Sequence, residues 1–368
     1  MRFDRRLLFN FDWVLLLLVI LICGIGLLNI YSAGSSIASK TEPIYVKQFF
    51  WFLLGFVMMM MCFCVDYRLI NQYSYIIYGA TVFLLLVLFF YGEVTRGTQR
   101  WVVIGGFSFQ PSEIAKLSVI LALSKYFSVQ EIEEDYTLKR LWLPFLIVII
   151  PFLLILKQPD LGTAMILIII FVSMVIFVGI KWQSVVIVVT SGVLLLPLCW
   201  MVLKDYQRER IMTFLDPERD PLGSGYHIIQ SIIAVGSGGF LGKGFLKGTQ
   251  SQLRFLPEHQ TDFIFSVFAE EWGFIGGLVL LVLFLALILW CLRIAQHSRD
   301  LLGTLIAFGI TMLIFWEVLI NVGMVLGIVP VVGIPMPFMS YGGSALVVLM
   351  MGVGLLMNIS VRRFMLSP

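Results

Sequence analysis

Charge is scarce in this 368-residue chain: Asp, Glu, Lys and Arg make up 13% of it, against roughly 25% in an ordinary soluble domain. Hydrophobic residues make up 60%, and mean hydropathy is +0.99. A soluble globular protein is therefore excluded, and an all-α polytopic membrane protein forming one domain over residues 1–368 is the economical reading. The formal charge of +3 is too small to suggest nucleic acid as a partner. There are only three His, with no paired spacing, and no metal-ligand set stands out. Cysteine is sparse too. Cys23, Cys62, Cys64, Cys199 and Cys291 lie in or beside apolar runs without a C-x-x-C pair, so neither a disulfide framework nor a zinc site is indicated. No fixed-period repeat and no low-complexity tract is present. Arg2, Arg5 and Arg6 precede an apolar run from Trp13 to Ile30. That run exceeds the about 7–15 residues of a signal-peptide core, so it reads as a retained first span.

What the chain does have is long apolar runs. A spanning helix needs about 20 mostly apolar residues. Ten such segments are predicted, at about 12–33, 47–65, 72–91, 111–128, 141–157, 160–180, 182–203, 262–292, 301–327 and 341–361. The fourth is the least apolar, since it contains Glu113, Lys116 and Lys125. With the N-terminus inside, the inner segments hold twelve Lys and Arg and the short outer loops five, which places both termini in the cytoplasm. The stretch 204–262, between spans seven and eight, then becomes one long extracytoplasmic loop. Within it, Ile228, Ile229, Ile232 and Ile233 fall on one face at helical spacing. They predict a short helix that either lies in the membrane interface or packs on the bundle. The acidic run Glu131-Ile132-Glu133-Glu134-Asp135 reads as a solvated inner loop.

Asp262 stands where the long loop re-enters the membrane, and a carboxylate at that depth is costly enough to suggest function. A helix-start acid beside Thr261 is the plain alternative. Even-numbered spans run inward, so their N-termini, which favour anions, point outward. Four such ends carry polar residues: Gln110-Pro111-Ser112-Glu113-Ile114-Ala115-Lys116, Gln158-Pro159-Asp160-Leu161-Gly162-Thr163, Thr261-Asp262, and Ser340-Tyr341-Gly342-Gly343-Ser344. If they converge, they form an external pocket for a phosphate-bearing ligand. Glu113 and Lys116 share a helix face and form either an internal ion pair or part of that pocket. Asp160 is either a helix cap or a substrate contact. Arg100, beside Trp101, is either an interfacial anchor or a phosphate ligand. Glu258 and His259 add titratable groups near Asp262, while Glu270, Glu271 and Glu317 are expected to face the bundle interior and pair there. Ser237-Gly238-Gly239-Phe240-Leu241-Gly242-Lys243-Gly244 fails as a P-loop, because Ser replaces its first Gly and Gly its final Ser/Thr.

Taken together, the four polar segments and Phe255-Leu256-Pro257-Glu258 resemble those of the SEDS family (shape, elongation, division and sporulation), over essentially the whole chain. Asp205-Tyr206-Gln207-Arg208-Glu209-Arg210, followed by Asp216-Pro217, and Gly248-Thr249-Gln250-Ser251-Gln252 are more similar to its elongation branch than to its division branch. The resemblance implies a peptidoglycan glycosyltransferase in the bacterial cytoplasmic (inner) membrane. It would polymerise lipid II at the outer face, beside a class B penicillin-binding protein and elongation factors such as MreB. The family's essential loop Asp corresponds to Asp262. As general base, Asp262 would deprotonate the acceptor sugar hydroxyl. Lys116, Arg100 and Arg210 would stabilise the departing undecaprenyl pyrophosphate, and a divalent cation such as Mg2+ could share that task. Glu113, Asp160, Glu258 and Ser340 complete the expected substrate contacts. A lipid II flippase and a non-catalytic scaffold for the transpeptidase are the competing classes. Against the flippase, the sequence shows neither an inverted repeat nor a pair of Gly/Pro-broken spans.

Overall fold

The computed structural model describes residues 11–34, 44–91, 93–95, 98–104, 107–130, 138–187, 190, 194, 201, 205–217, 224–252, 255 and 260–363. Its main helices are α1 (Trp13–Gly34), α2 (Ile44–Cys64), α3 (Tyr67–Gln72), α4 (Ser74–Tyr91), α5 (Pro111–Val129), α6 (Trp142–Lys157) and α7 (Leu161–Val178). The long loop contributes α8 (Asp205–Leu215), α9 (Ser224–Ser237) and α10 (Thr249–Gln252). Then follow α11 (Ile264–Gln296), α12 (Leu301–Val325) and α13 (Gly343–Arg362). Nine of the ten expected spans coincide with a helix. The remaining one, 182–203, is helical at 182–187, and most of its remainder lies outside the described residues, as do Cys199 and the acidic run 131–135.

Among the described residues, α1, α2, α7, α11, α12 and α13 are each long and apolar enough to cross a membrane. The helix α5 is not among them, yet it is one of the most completely buried. Its Glu113 and Lys116 pair with each other and with Glu317 inside the protein, so hydropathy understates its place at the centre of the bundle. The other central helix is α13, 89% of whose apolar window is buried, against 22% for the rim helix α2. Rim helices send Trp13, Phe83 and Phe274 outward, which suits hydrocarbon rather than water. Lipid supplies little hydrophobic drive between helices, so polar contacts help to specify the packing. Asn358 on α13 shows this at the end far from the site. Its Nδ2 donates to the Phe63 and Val65 carbonyls at 2.6 and 2.7 Å, and its Oδ1 accepts from the Tyr67 N–H at 3.1 Å.

Two features depart from plain spanning helices. Between α4 and α5 the chain forms a small antiparallel sheet of β1 (Glu93–Thr95), β2 (Thr98–Ile104) and β3 (Phe107–Phe109), with β2 in the middle. Its aromatic and β-branched residues favour the pleat. The second feature is a break in α11 at Gly273 (φ 67°, ψ −165°). The glycine-rich segment 238–244 inserts there. The Lys243 and Gly244 N–H groups donate to the Glu270 and Glu271 carbonyls at 3.0 and 2.9 Å, and Phe274 N–H donates to the Gly239 carbonyl at 2.8 Å. A Cβ on Gly242 would stand 2.1 Å from the Glu271 oxygen, so a side chain cannot be accommodated there. The sequence that fails as a P-loop is thus a backbone plug for a broken helix. Glu270, fully buried, fastens the same loop by accepting from the Lys243 ammonium at 2.7 Å and the Thr249 N–H at 2.8 Å. Glu271 accepts from the Ser32 hydroxyl.

The expected isoleucine helix is present as α9. It packs on the bundle through Ile228, Ser231 and Ala234, with the Ser231 hydroxyl donating to the Val325 carbonyl at 2.9 Å, while Ile232 and Ile233 stay exposed.

Candidate active site

The N-terminal ends of α5, α7, α11 and α13 converge on one cavity of about 490 Å³. Gln110 and Glu113 line it from α5, Asp160 and Thr163 from α7, Thr261 and Asp262 from the turn into α11, and Tyr341, Gly342 and Ser344 from the start of α13. All four polar segments singled out in the sequence therefore meet. Strand β2 closes one side with Arg100 and Trp101, and the irregular segment before α13 closes another with Val332, Gly333 and Pro335. The helices α5, α11 and α13 carry no side-chain cap at these ends. Their first-turn N–H groups and positive dipole ends thus face a shared space, an arrangement suited to an anion. A second hollow of about 480 Å³, between α9, α11 and α12, is walled almost wholly by apolar side chains and glycines.

Asp262 is half-buried in the cavity wall. It stands one residue before the N-cap of α11, Phe263, which carries no side-chain cap bond. Asp160 does cap its helix. Its Oδ1 accepts from the Thr163 N–H at 3.3 Å, and its Oδ2 accepts from the Thr163 hydroxyl at 3.0 Å and from Gln110 Nε2 at 2.9 Å. Arg100 Nη1 stands 4.0 Å from Asp160 Oδ1. The same guanidinium donates to the Gln158 carbonyl at 2.9 Å and to the Pro159 carbonyl. Arg100 is thus a fixed cation in the wall with about a quarter of its side chain exposed (26%).

Lys116 takes the internal-pair arrangement. Its ammonium lies 2.7 Å from Glu113 and 2.6 Å from Glu317, and all three side chains are buried. Glu113 reaches the cavity wall; Lys116 and Glu317 lie behind it. Ser340 is also behind the wall. Its hydroxyl accepts from the Met336 N–H at 2.8 Å and donates to the Thr261 carbonyl at 2.6 Å, so it shapes the wall. Arg210 lies on α8 with its side chain outside the described set, and Glu258 and His259 lie outside the described residues.

Two polar residues were missed in the sequence. Gln48 on α2 donates to the Ser340 carbonyl at 3.2 Å, and Asn321 on α12 donates to the carbonyls of Asp262 and Ile334 at 2.9 and 2.8 Å. Each is the one amide side chain in a largely apolar helix, which is the signal that could have found them.

A bundle of membrane helices with four helix N-termini, Arg100 and the carboxylates of Glu113, Asp160 and Asp262 around a polar cavity defines an integral membrane protein whose site suits an anion beside a carboxylate. The chain belongs to the FtsW/RodA/SpoVE (SEDS) family, whose model, described as "Cell cycle protein", matches residues 12–364. It is 40% identical over 362 residues to the peptidoglycan glycosyltransferase MrdB of Escherichia coli (strain K12), covering 97% of this chain and 95% of that one. It is 35% identical to the peptidoglycan glycosyltransferase RodA of Treponema pallidum (strain Nichols), covering 96% and 98%. Among solved structures it is similar to a chain of a peptidoglycan synthase complex described as coordinating polymerization and crosslinking (TM-score 0.82, 33% identity, covering 96% and 98%). It is also similar to the rod shape determining protein RodA of Thermus thermophilus (TM-score 0.71, 28% identity, covering 96% and 98%).

Proposed function

We propose that the chain is a peptidoglycan glycosyltransferase of cell elongation that polymerises lipid II, with Asp262 as general base. The observation that carries this reading is the position of Asp262, in a wall shared by four converging helix N-termini. The relatives named above are peptidoglycan glycosyltransferases, which supports the same reaction class.

In this reading the Asp262 carboxylate accepts the proton of the acceptor sugar hydroxyl. The oxygen bonds to the donor's anomeric carbon, and the bond from that carbon to the pyrophosphate oxygen breaks. The pyrophosphate leaves as an anion on its lipid. It needs charge neutralisation rather than a proton, so a second carboxylic acid of the glycosidase type is not required. Arg100 and the open helix ends supply that neutralisation. Lys116 contributes by keeping Glu113 in place. Glu113 and Asp160 are already committed to partners within the protein, and no group of three metal-ligating side chains occurs among the described residues. A Mg2+ ion at this site would be held mainly by the substrate's phosphates and would supply charge neutralisation to the leaving group.

The Lys/Arg distribution supports a cavity facing the cell exterior from the bacterial cytoplasmic membrane, with both termini inside. The synthase complex similar to this chain supports a crosslinking partner of the penicillin-binding class; MreB is proposed from the family alone. The test is a gel assay of lipid II polymerisation by the purified protein and by Asp262→Asn. Polymer from the wild type and none from a folded Asp262→Asn protein is expected. Full turnover by that variant would remove Asp262 as base.

A further inference from the structure

Three successive backbone carbonyls lead into the base, and each is held from across the bundle. The Tyr341 N–H donates to the Gln260 carbonyl at 2.8 Å, and the Ser340 hydroxyl donates to the Thr261 carbonyl at 2.6 Å. Asn321 Nδ2 donates to the carbonyl of Asp262 itself at 2.9 Å.

Asn321 differs from the other two donors. It projects from a membrane helix, α12, and its single amide group makes a second bond, to the Ile334 carbonyl at 2.8 Å. One NH2 group therefore joins the residue that carries the carboxylate to the segment the carboxylate rests against. That segment includes Gly333, where an added Cβ would lie 3.5 Å from Asp262 Oδ2. Asn321 is fully buried, and its Oδ1 has no hydrogen-bond partner among the described residues. The position is occupied for its two donor bonds: an apolar side chain of similar volume would remove the unpaired oxygen but leave the Asp262 and Ile334 carbonyls without this donor. What the amide provides, and an apolar group cannot, is a fixed relation between residues 262 and 334.

We infer that Asn321 is a positioning residue for the reaction: it holds the Asp262 backbone at a set height against the 332–335 wall, so that the carboxylate meets the acceptor hydroxyl within hydrogen-bond reach. The inference rests on Asp262 acting as the base. A clamp of this kind governs the approach of reacting atoms, where a misplacement of about 1 Å costs on the order of 100-fold in rate. Binding is served by other groups, Arg100 and the helix ends, so the effect falls on kcat rather than on KM.

Purified Asn321→Leu, Asn321→Ser and Asp262→Asn proteins are assayed over a lipid II titration, with thermal unfolding followed in parallel. Asn321→Leu keeps the volume and loses both donors. It lowers kcat about 10- to 100-fold with KM within about twofold of wild type. Asn321→Ser, small and polar, shows the same kcat-only loss and serves if the leucine variant does not fold. Wild-type kcat in either folded Asn321 variant, with Asp262→Asn inactive, overturns the inference and leaves the base intact. A loss in KM at unchanged kcat also overturns it. Full activity in Asp262→Asn removes the base, and the inference falls with it.

Discussion

Replacing Lys116 by methionine removes a charge without much changing side-chain length, and the consequence follows from the Glu113–Lys116–Glu317 geometry. The ammonium lies 2.7 and 2.6 Å from two carboxylates, and no member of the triad has more than 5% of its side chain exposed. Without the lysine, two buried acids face each other with no counter-charge. Removing one partner of a buried pair costs about 3–5 kcal/mol, and here two partners are orphaned at once. Glu317→Gln is the instructive contrast. It leaves a neutral Glu113–Lys116 pair, and the amide oxygen can still accept from Nζ. The loss is then the difference between a charged and a neutral hydrogen bond, about 1 kcal/mol. On the scale of about 2–4 °C per kcal/mol for mid-sized domains, thermal unfolding in detergent should fall by roughly 6–20 °C for Lys116→Met and by only about 2–4 °C for Glu317→Gln. Lipid II polymerisation, measured below both midpoints, should be lost in Lys116→Met, because Glu113 is then no longer held at the cavity wall. Equal destabilisation by the two variants would refute the charge argument. Near-native turnover in a folded Lys116→Met protein would confine Lys116 to holding the bundle together.

Other outcomes follow from single contacts. Gly333 has φ +75° and its missing Cβ faces Asp262 at 3.5 Å; Gly333→Ala should cost about 1–2 kcal/mol in backbone strain and lower turnover more than lipid II binding, read by a titration that separates kcat from KM. Glu270→Ala should leave Lys243 and the Thr249 and Gln250 amides without their shared acceptor, and limited proteolysis should cut the 238–250 loop faster than in wild type. Asp300 caps α12 through the Gly303 N–H and accepts from Arg68 and Tyr67. Its partial burial pushes its carboxyl pKa upward, but the Gly303 N–H and the Arg68 and Tyr67 hydrogen bonds outweigh this and hold it below the usual carboxylate value. Its stabilising effect is therefore present above the unfolded pKa near 4 and lost as pH falls through the lower folded value. Asp300→Asn should flatten that acid limb in an unfolding series, and an unchanged limb would contradict the assignment.

The parts of this molecule legible in its sequence are those in which one physical requirement dominates. A helix that crosses lipid must keep its backbone groups paired and its side chains apolar, so spans such as α1, α12 and α13 announce themselves. The polar ends of α5, α7, α11 and α13 were legible for the same reason: each interrupts an apolar pattern at the edge of a span. Their convergence could be posed only as a condition, since no local pattern says which helices are neighbours. The fourth span shows the limit of composition. Lys116 lowers the hydropathy of α5, yet it is at home in the interior because Glu317, 201 positions away, lies against it. The break at Gly273 was hidden for a related reason. Nothing around Gly273 in the sequence names the segment that satisfies its freed carbonyls, because those donors come from residues 243 and 244. The place of Arg100 in the cavity wall was not legible either, because the sheet that carries it there depends on a register that seven residues of β2 do not fix alone. Asn321 combines both cases. A lone amide in an apolar helix is visible in the sequence, but its meaning lies in two carbonyls, at 262 and 334, that only the fold brings within reach of one nitrogen. The residues that set the rate of a reaction need not touch its substrate, and in a membrane bundle the sequence marks them mainly as polar groups out of place.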